Sequence, residues 1–371
     1  MDRVEGHLDS GQELRDGLAV DTALSTLVVV LVYIVVKVSV DGIRQWRARV
    51  SILVVGAGPV GLAAALVAVR SGKVLNLTVL DERSRTALLC RPQQIALDPR
   101  SVKFLLALGV DFDNIEGCWH NDHFFTKIGV FHEHLLSILE QRKQTLDIRI
   151  LLGTKFTEEY MRKMSQVEWP KIIIVADGSC GESSSLLGVN SEYIVESCNA
   201  YGANAALERP DQRYQRLRSE RTIYILIYQP TELTSSAVVM KNIFHQSFNA
   251  YKTDIEPRMS DLTFPHMQCS RRLFEIMLSH RRVTSAFIEG DNAVVALEGE
   301  AARVLNFDTG PSGCGVNLGL RGLESSEEFI YKIATAVDQI DVFEALAAKI
   351  KHSKQVVEDF KLNGLSASMF E

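Results

Sequence analysis

Proline is scarce in this chain, 9 of 371 residues, and its six cysteines are scattered. The first shortage excludes a proline-rich or collagenous architecture. The second excludes a small disulfide scaffold, and because no two of Cys90, Cys118, Cys180, Cys198, Cys269 and Cys314 stand as C-x-x-C, a zinc knuckle is excluded with it. Reduced thiols and a reducing compartment are therefore expected for the catalytic part. Basic clusters are missing too. The net charge is −6 and the pI about 5.9, which argues against a surface that tracks phosphates, so no nucleic-acid partner is expected. Neither a Ser-His-Asp order in strand and turn context nor paired carboxylates at glycosidase spacing occur. His120, His123, His132 and His134 bracket an aromatic pair, but H-N-D-H and H-E-H lack the third ligand and helical frame of a zinc site, and no metal is expected. What remains is globular: 46% hydrophobic and 23% charged residues over about two domains' worth of chain.

One long hydrophobic run departs from that average. Thr22 to Val40 reads TALSTLVVVLVYIVVKVSV, and its one charge, Lys37, lies near the end where its stem can reach an interface. A bilayer crossing needs about 20 residues, so the run is long enough for one transmembrane helix. Residues 1–21 hold Asp2, Glu5, Asp9, Glu13, Asp16 and Asp21 against Arg3 and Arg15, whereas Arg44, Arg47 and Arg49 follow the run. A signal peptide has the opposite charge order. The positive-inside rule predicts a single-pass membrane protein with residues 1–21 lumenal and everything after the span cytosolic. A Val-rich hairpin of the soluble domain is the other reading of the same residues.

Next comes a strand, turn and helix. Val50 to Val55 is apolar apart from Ser51 and rich in β-branched residues, as in a parallel strand buried on both faces. Gly56, Gly58 and Gly61 then supply G-x-G-x-x-G, Leu62 to Val69 reads as a helix and Leu75 to Leu80 as the next strand. In that context Gly56 permits the tight turn, Gly58 lets backbone N–H groups approach a pyrophosphate, and Gly61 lets helix pack on strand. Asp81 ends the second strand, where a carboxylate can accept hydrogen bonds from a ribose, with Glu82 the alternative by one residue. The motif points to a dinucleotide and leaves NAD and FAD both open.

Three later stretches bear on that choice. Arg91 opens RPQQIALDPRSVKFLLALGV; Lys171 to Val175 delivers ADGSCGESSSLLGV, with Asp177 and Gly178 at its head; and the apolar run Ala293 to Leu297 precedes GEAARVLNFDTGPSGCGVNLGL. Together with the first motif they resemble the FAD-dependent monooxygenases of the aromatic hydroxylase type, which include p-hydroxybenzoate hydroxylase and the ubiquinone-pathway hydroxylases. The resemblance covers roughly residues 50–335 and aligns nothing between 190 and 290. It implies that Arg91 contacts the FAD pyrophosphate and that Asp177 and Gly178 lie near it. It further implies that Gly299 and Glu300 meet the ribityl hydroxyls, and that Gly313, Gly315 and Asn317 open a helix facing the flavin pyrimidine oxygens. Several positions depart from the pattern: Gly181 stands in a serine slot, Ser184 in an arginine slot, Glu300 for aspartate, Arg303 for histidine, Pro311 one place late, and His132 where an arginine is common.

The resemblance implies an α/β chain: a doubly wound, Rossmann-like FAD-binding domain with an inserted mixed-sheet substrate domain, beside the N-terminal transmembrane helix. The expected boundaries are a lumenal tail at 1–21, the span at 22–40, the FAD domain at 50–190 and 291–335, the substrate domain at 191–290 and C-terminal helices at 336–371. A helix-period pattern runs from Ser326 to Phe360. TIYILIYQ and SSAVVMKNIFHQSF read as substrate-domain strands, and Phe244, His245, Phe248, Tyr251, Phe264 and His266 as a core or an aromatic pocket. The implied activity is NAD(P)H-dependent hydroxylation of an aromatic or lipophilic small molecule. A reductase or dehydrogenase without oxygen insertion, and a degenerate flavin-binding membrane protein without activity, are the alternatives. No individual catalytic side chain stands out.

Overall fold

The computed structural model describes residues 27–40, 42–43, 47–91, 93–120, 122–165, 169–189, 194–207, 221–227, 242, 267–269, 274–307 and 314–363. Met1–Arg49 and Val50–Glu371 form two separate units. In the first, residues 27–40 are helical and all of them are exposed. The expected span of 22–40 falls only in part on the described residues. Among the described residues no helix is long and apolar enough to cross a membrane. Residues 22–26 and the tail before them lie outside the described residues.

In the second unit the uninterrupted apolar runs become the centre of a six-stranded sheet, because a strand with no polar face must be covered on both sides. β1 (Val50–Val55) pairs parallel with β2 (Val74–Asp81) on one side and with β7 (Ile172–Val175) on the other, Val54 standing between Val79 and Ile174. β6 (Asp147–Leu152) continues the parallel set beyond β2 and β13 (Ala293–Leu297) beyond β7, while β12 (Ser285–Ile288) closes that edge antiparallel. Every residue of β7 and β13 is buried. The fold is thus mixed α/β around a parallel-rich sheet. Winding reverses on either side of β1, which opens a crevice at the carboxyl ends of β1 and β7, the place where such sheets bind ligands.

α1 (Pro59–Arg70) starts with Pro59 in its first turn, where the missing N–H is harmless. It is buried from Pro59 to Ala68 between the sheet and α4 (Ile128–Arg142), α7 (Cys314–Leu323) and α8 (Ser326–Thr335). The expected continuous C-terminal helix is broken at 336–338, before α9 (Gln339–Asn363). The break has a local cause: the Asp338 side chain accepts Asp341 N at 3.0 Å while Asp341 accepts Val337 N at 2.8 Å, a reciprocal cap that starts a new helix.

Two smaller antiparallel sheets complete the unit. One has the order β3-β5-β4, built from Gln94–Leu97 (β3), Gly117–His120 (β4) and His123–Lys127 (β5), and it carries an edge-stacked cluster of Phe112, Trp119 and Phe124. The other has the order β10-β8-β11-β14, from Ile194–Leu207 (β8), Met267–Cys269 (β10), Phe274–Arg281 (β11) and Arg303–Phe307 (β14). β9 (Arg221–Ile227), which holds most of TIYILIYQ, pairs with β8. Apart from Asn242, SSAVVMKNIFHQSF lies outside the described residues, as do all six members of the aromatic set.

The tightest contact between the sheet and its helices sits at Gly61, where a Cβ would stand 1.9 Å from the Gly56 carbonyl oxygen. Gly61→Ala is expected to destabilise the fold by more than about 3 kcal/mol, since backbone must move on both sides. Urea unfolding of the purified variant checks this, and an unchanged midpoint would refute the packing argument.

Candidate functional site

The turn after β1 is shaped by glycine geometry. Gly56 adopts φ +104°, and a Cβ there would meet Ala176 O at 2.3 Å, so β1 and the end of β7 close up as only glycine allows. At Gly58, by contrast, a Cβ would meet nothing within 4 Å. Gly58 is also the N-cap of α1 and gives that helix no side-chain cap. The first N–H groups of α1 therefore face open space with the positive end of the helix dipole behind them, which suits an anion.

Asp81 and Glu82 part company here. Asp81 is buried and its carboxylate is fully engaged: Oδ1 accepts Arg83 N at 2.8 Å and Nε at 3.0 Å, and Oδ2 accepts Ala57 N at 2.7 Å and Arg83 Nη2 at 3.1 Å. Four donors fill the four acceptor positions of a carboxylate. Burial opposes ionisation of Asp81, yet these bonds hold its pKa below the usual value. Asp81 thus fastens the second strand to the glycine turn, with no acceptor left for a ribose. Glu82 is exposed and lines a cavity of about 210 Å³ bounded also by Val55, Gly56, Lys155 and Asp177.

Asp177 faces the same cavity from the end of β7, and Gly178 turns the chain behind it with φ +91°. Asp177 Oδ2 accepts Ser183 N at 3.2 Å, which caps α6 (Ser183–Leu186), while Oδ1 is buried with no partner among the described residues. Burial pushes this carboxyl above its ordinary pKa, with the Ser183 bonds opposing. An unpaired buried acceptor is waiting for a donor.

Arg91, Glu300 and the first turn of α7 form a second group, none of them among the described residues that line that cavity. Arg91 is half-buried, and no hydrogen bond or ion pair engages it among the described residues. Burial lowers its pKa, as does Arg83, against the fields of Glu300 and Asp81, so this guanidinium lies within electrostatic reach of both carboxylates. Glu300, half-buried, is raised by burial and lowered by Arg91. It lies against the first turn of α7, since a Cβ on Gly315 would be 2.6 Å from its Oε1, and the neighbouring Gly299 packs on Val60. Asn317 does something else. It is buried, its Oδ1 accepts Asp98 N at 3.1 Å and its Nδ2 donates to Ala96 O at 2.7 Å, so its side chain ties α7 to the end of β3. Gly313, like Gly310 and Pro311, lies outside the described residues. Arg303 points into the interior, where its Nη2 is 3.1 Å from Glu298 Oε2.

Sequence reasoning missed Lys155 and Ser183, which line the cavity, and the Arg83 grip on Asp81. Only Arg83 left a signal, a guanidinium two residues beyond a strand-end acid. His132, at the position where an arginine was expected, is fully buried, with Nδ1 3.2 Å from Leu88 O. His134 instead accepts Asp111 N at 3.3 Å, so these two histidines do not share a site.

No protein-family model matches the chain, and no curated protein matches it. Among solved structures, the chain is similar to the tetracycline destructase Tet(55) at 14% identity over 85% of this chain and 88% of that one, with a TM-score of 0.46. It is similar to p-nitrophenol 4-monooxygenase PnpA of Pseudomonas putida DLL-E4 at 14% over 84% and 88%, with a TM-score of 0.43. CmlS, a flavin-dependent halogenase, shows 16% identity over 85% of this chain and 63% of that one, with a TM-score of 0.49.

Burial lowers the His132 pKa to about 4, with the Leu88 carbonyl opposing and Arg91 and Arg83 adding to the fall. The unfolded chain binds this proton near pH 6.5 and the folded one only near 4, so stability falls as pH drops through that window, by about 3 kcal/mol when complete. His132→Gln, which keeps a donor for Leu88 O, should lose less stability between pH 6.5 and 4. Thermal melts of both proteins across that range test it, and parallel curves would refute it.

Proposed function

We propose that this chain binds FAD and works as an FAD-dependent oxidoreductase, hydroxylating an aromatic or lipophilic small molecule with NAD(P)H as reductant. The observation that carries the reading is Arg91, a half-buried guanidinium that no hydrogen bond or ion pair engages among the described residues, in the field of both Asp81 and Glu300. A half-buried cation whose donors are not used by the described residues suits a diphosphate. The residues fit that group on independent grounds: the open space before Gly58 and the orphaned Asp177 Oδ1.

In this reading the α1 N-terminus and Arg91 bind the diphosphate, Glu82 accepts from the ribose, and Asp177 and Glu300 accept from donors further along. When bound, FAD supplies the electron-transfer and oxygen chemistry. The chain's part is to orient the group, keep Asp177 and Glu300 as acceptors, and keep water from the reacting face. Attachment to a membrane belongs to the same proposal. An exposed apolar helix at 27–40, acids before it and arginines after it, suits a bilayer with the flavin unit on the cytosolic side. Carbonate-washed microsomes should retain the full-length chain, and its release into the supernatant would refute that attachment.

Purified protein titrated with FAD should acquire flavin absorption bands near roughly 370 and 450 nm. Gly58→Val should abolish binding and leave the unfolding midpoint unchanged, because its side chain enters ligand space only. Glu300→Ala should weaken binding by about one to two orders of magnitude, from a charge-assisted bond of about 1.5–3 kcal/mol. A folded protein that stays colourless with excess FAD would end the reading. NAD(P)H consumption without an oxygenated product would favour a reductase or dehydrogenase instead.

A further inference from the structure

Ser184 occupies the slot where the motif it resembles carries an arginine, and it is buried. A guanidinium nevertheless reaches it, from the end of β11. Arg281 Nη2 donates to Ser184 Oγ at 3.0 Å, its Nη1 to Val189 O at 3.3 Å and its Nε to Ala301 O at 2.9 Å. The Arg281 main-chain N–H adds a bond to Ala302 O at 2.9 Å. One residue thus grips the loop that follows Asp177 and the turn that follows Glu300. α6 is a four-residue helix between Gly178 and Gly188, both with positive φ, so the loop it belongs to contains only one turn of regular structure. The connection to chemistry is short: Ser184 fixes α6, and α6 presents Ser183 N to Asp177 Oδ2.

We infer that Arg281 is a positioning residue of the cofactor site, a clamp that holds Asp177 and Glu300 at a set separation by fastening the loop of one to the turn of the other. Its planar fork matches three acceptors on two segments, which a lysine ammonium cannot span. The inference rests on the proposed FAD site, and its test reads the clamp separately. In the protein without added flavin, Arg281→Met should speed hydrogen exchange in peptides covering residues 183–189 and 299–303 together, by about tenfold. FAD affinity should fall by at least about tenfold. Arg281→Lys should resemble Arg281→Met. Ser184→Ala, a mild change that leaves both Ala301 and Ala302 bonds, should weaken FAD about threefold and alter the visible circular dichroism of bound flavin. It should add nothing in the Arg281→Met background. Full affinity in Arg281→Lys, or exchange that rises in one peptide but not the other, would overturn the clamp. A wild type that binds no flavin would overturn the function reading and the cofactor side of this inference, while the exchange data would still judge the clamp itself.

Discussion

The contact between Gly61 and the Gly56 carbonyl is the constraint on which the site depends. With no side chain at either position, α1 lies directly on the end of β1, and the turn between them lies on the Ala176 carbonyl. That approach brings Ala57 N to 2.7 Å from Asp81 Oδ2 and Ala176 N to 2.7 Å from Val55 O. Three strand ends are thereby fixed to one another before any ligand is considered. The open side of Gly58 is a consequence: the turn spends its backbone on neighbouring strands on one face and leaves the other clear.

Within that frame, what a carboxylate does follows from how many donors already reach it. Asp81 receives four and serves the fold. Asp98 likewise accepts Ser101 N as the N-cap of the helix at 99–107 and pairs with Arg321, so its charge is used to join that helix to α7. Among the described residues, Asp177 has one oxygen bonded and one without a partner, and Glu300 has the charge of Arg91 nearby and packs closely against α7. In both of the latter, burial raises the pKa. A carboxyl kept in a desolvated place without full hydrogen bonding is poorly placed for stability and well placed for a ligand.

The parts of the fold that were legible in the sequence are those governed by local rules. β7 and β13 appear as unbroken apolar runs, and β1 as one broken only by Ser51, because a strand covered on both faces needs no alternation, and each is followed by a glycine turn that brings a candidate site residue to the strand end. The choice between Asp81 and Glu82 was not legible, because one step along a strand reverses the side chain's direction and only the packed turn selects the face. The side-chain partners of Asn317 were not legible for a related reason: a polar residue at a helix start can bond outward or inward, and here it bonds the backbone of Ala96 and Asp98. Arg281 reaches Ser184 across 97 residues of sequence, a meeting that no spacing rule foretells.

A buried charge cluster extends the same logic to the C-terminal helices. Glu298 meets Arg303 at 3.1 Å and Lys349 at 2.5 Å, all three buried, so a carboxylate one residue before Gly299 is held by a strand on one side and by α9 on the other. Lys349 also donates to Gly322 O at 3.0 Å and Ser326 Oγ at 2.6 Å, which joins α7 and α8 to the same point. Burial lowers the pKa of both Lys349 and Arg303, with Glu298 opposing in each case. Removing one member of such a group leaves another charge uncompensated, a loss of about 3–5 kcal/mol, whereas an apolar replacement of the whole would lose little. Stability alone therefore does not explain the cluster. Its placement does: a Cβ on Gly322 would meet the Arg303 guanidinium at 2.3 Å, so the cluster fixes the depth of α7, while Glu298 N donates to Val175 O and fixes the strand end before Glu300. The two elements that bring Glu300 and Gly315 together are thus located by one set of directional bonds, which an apolar core, indifferent to direction, would not specify.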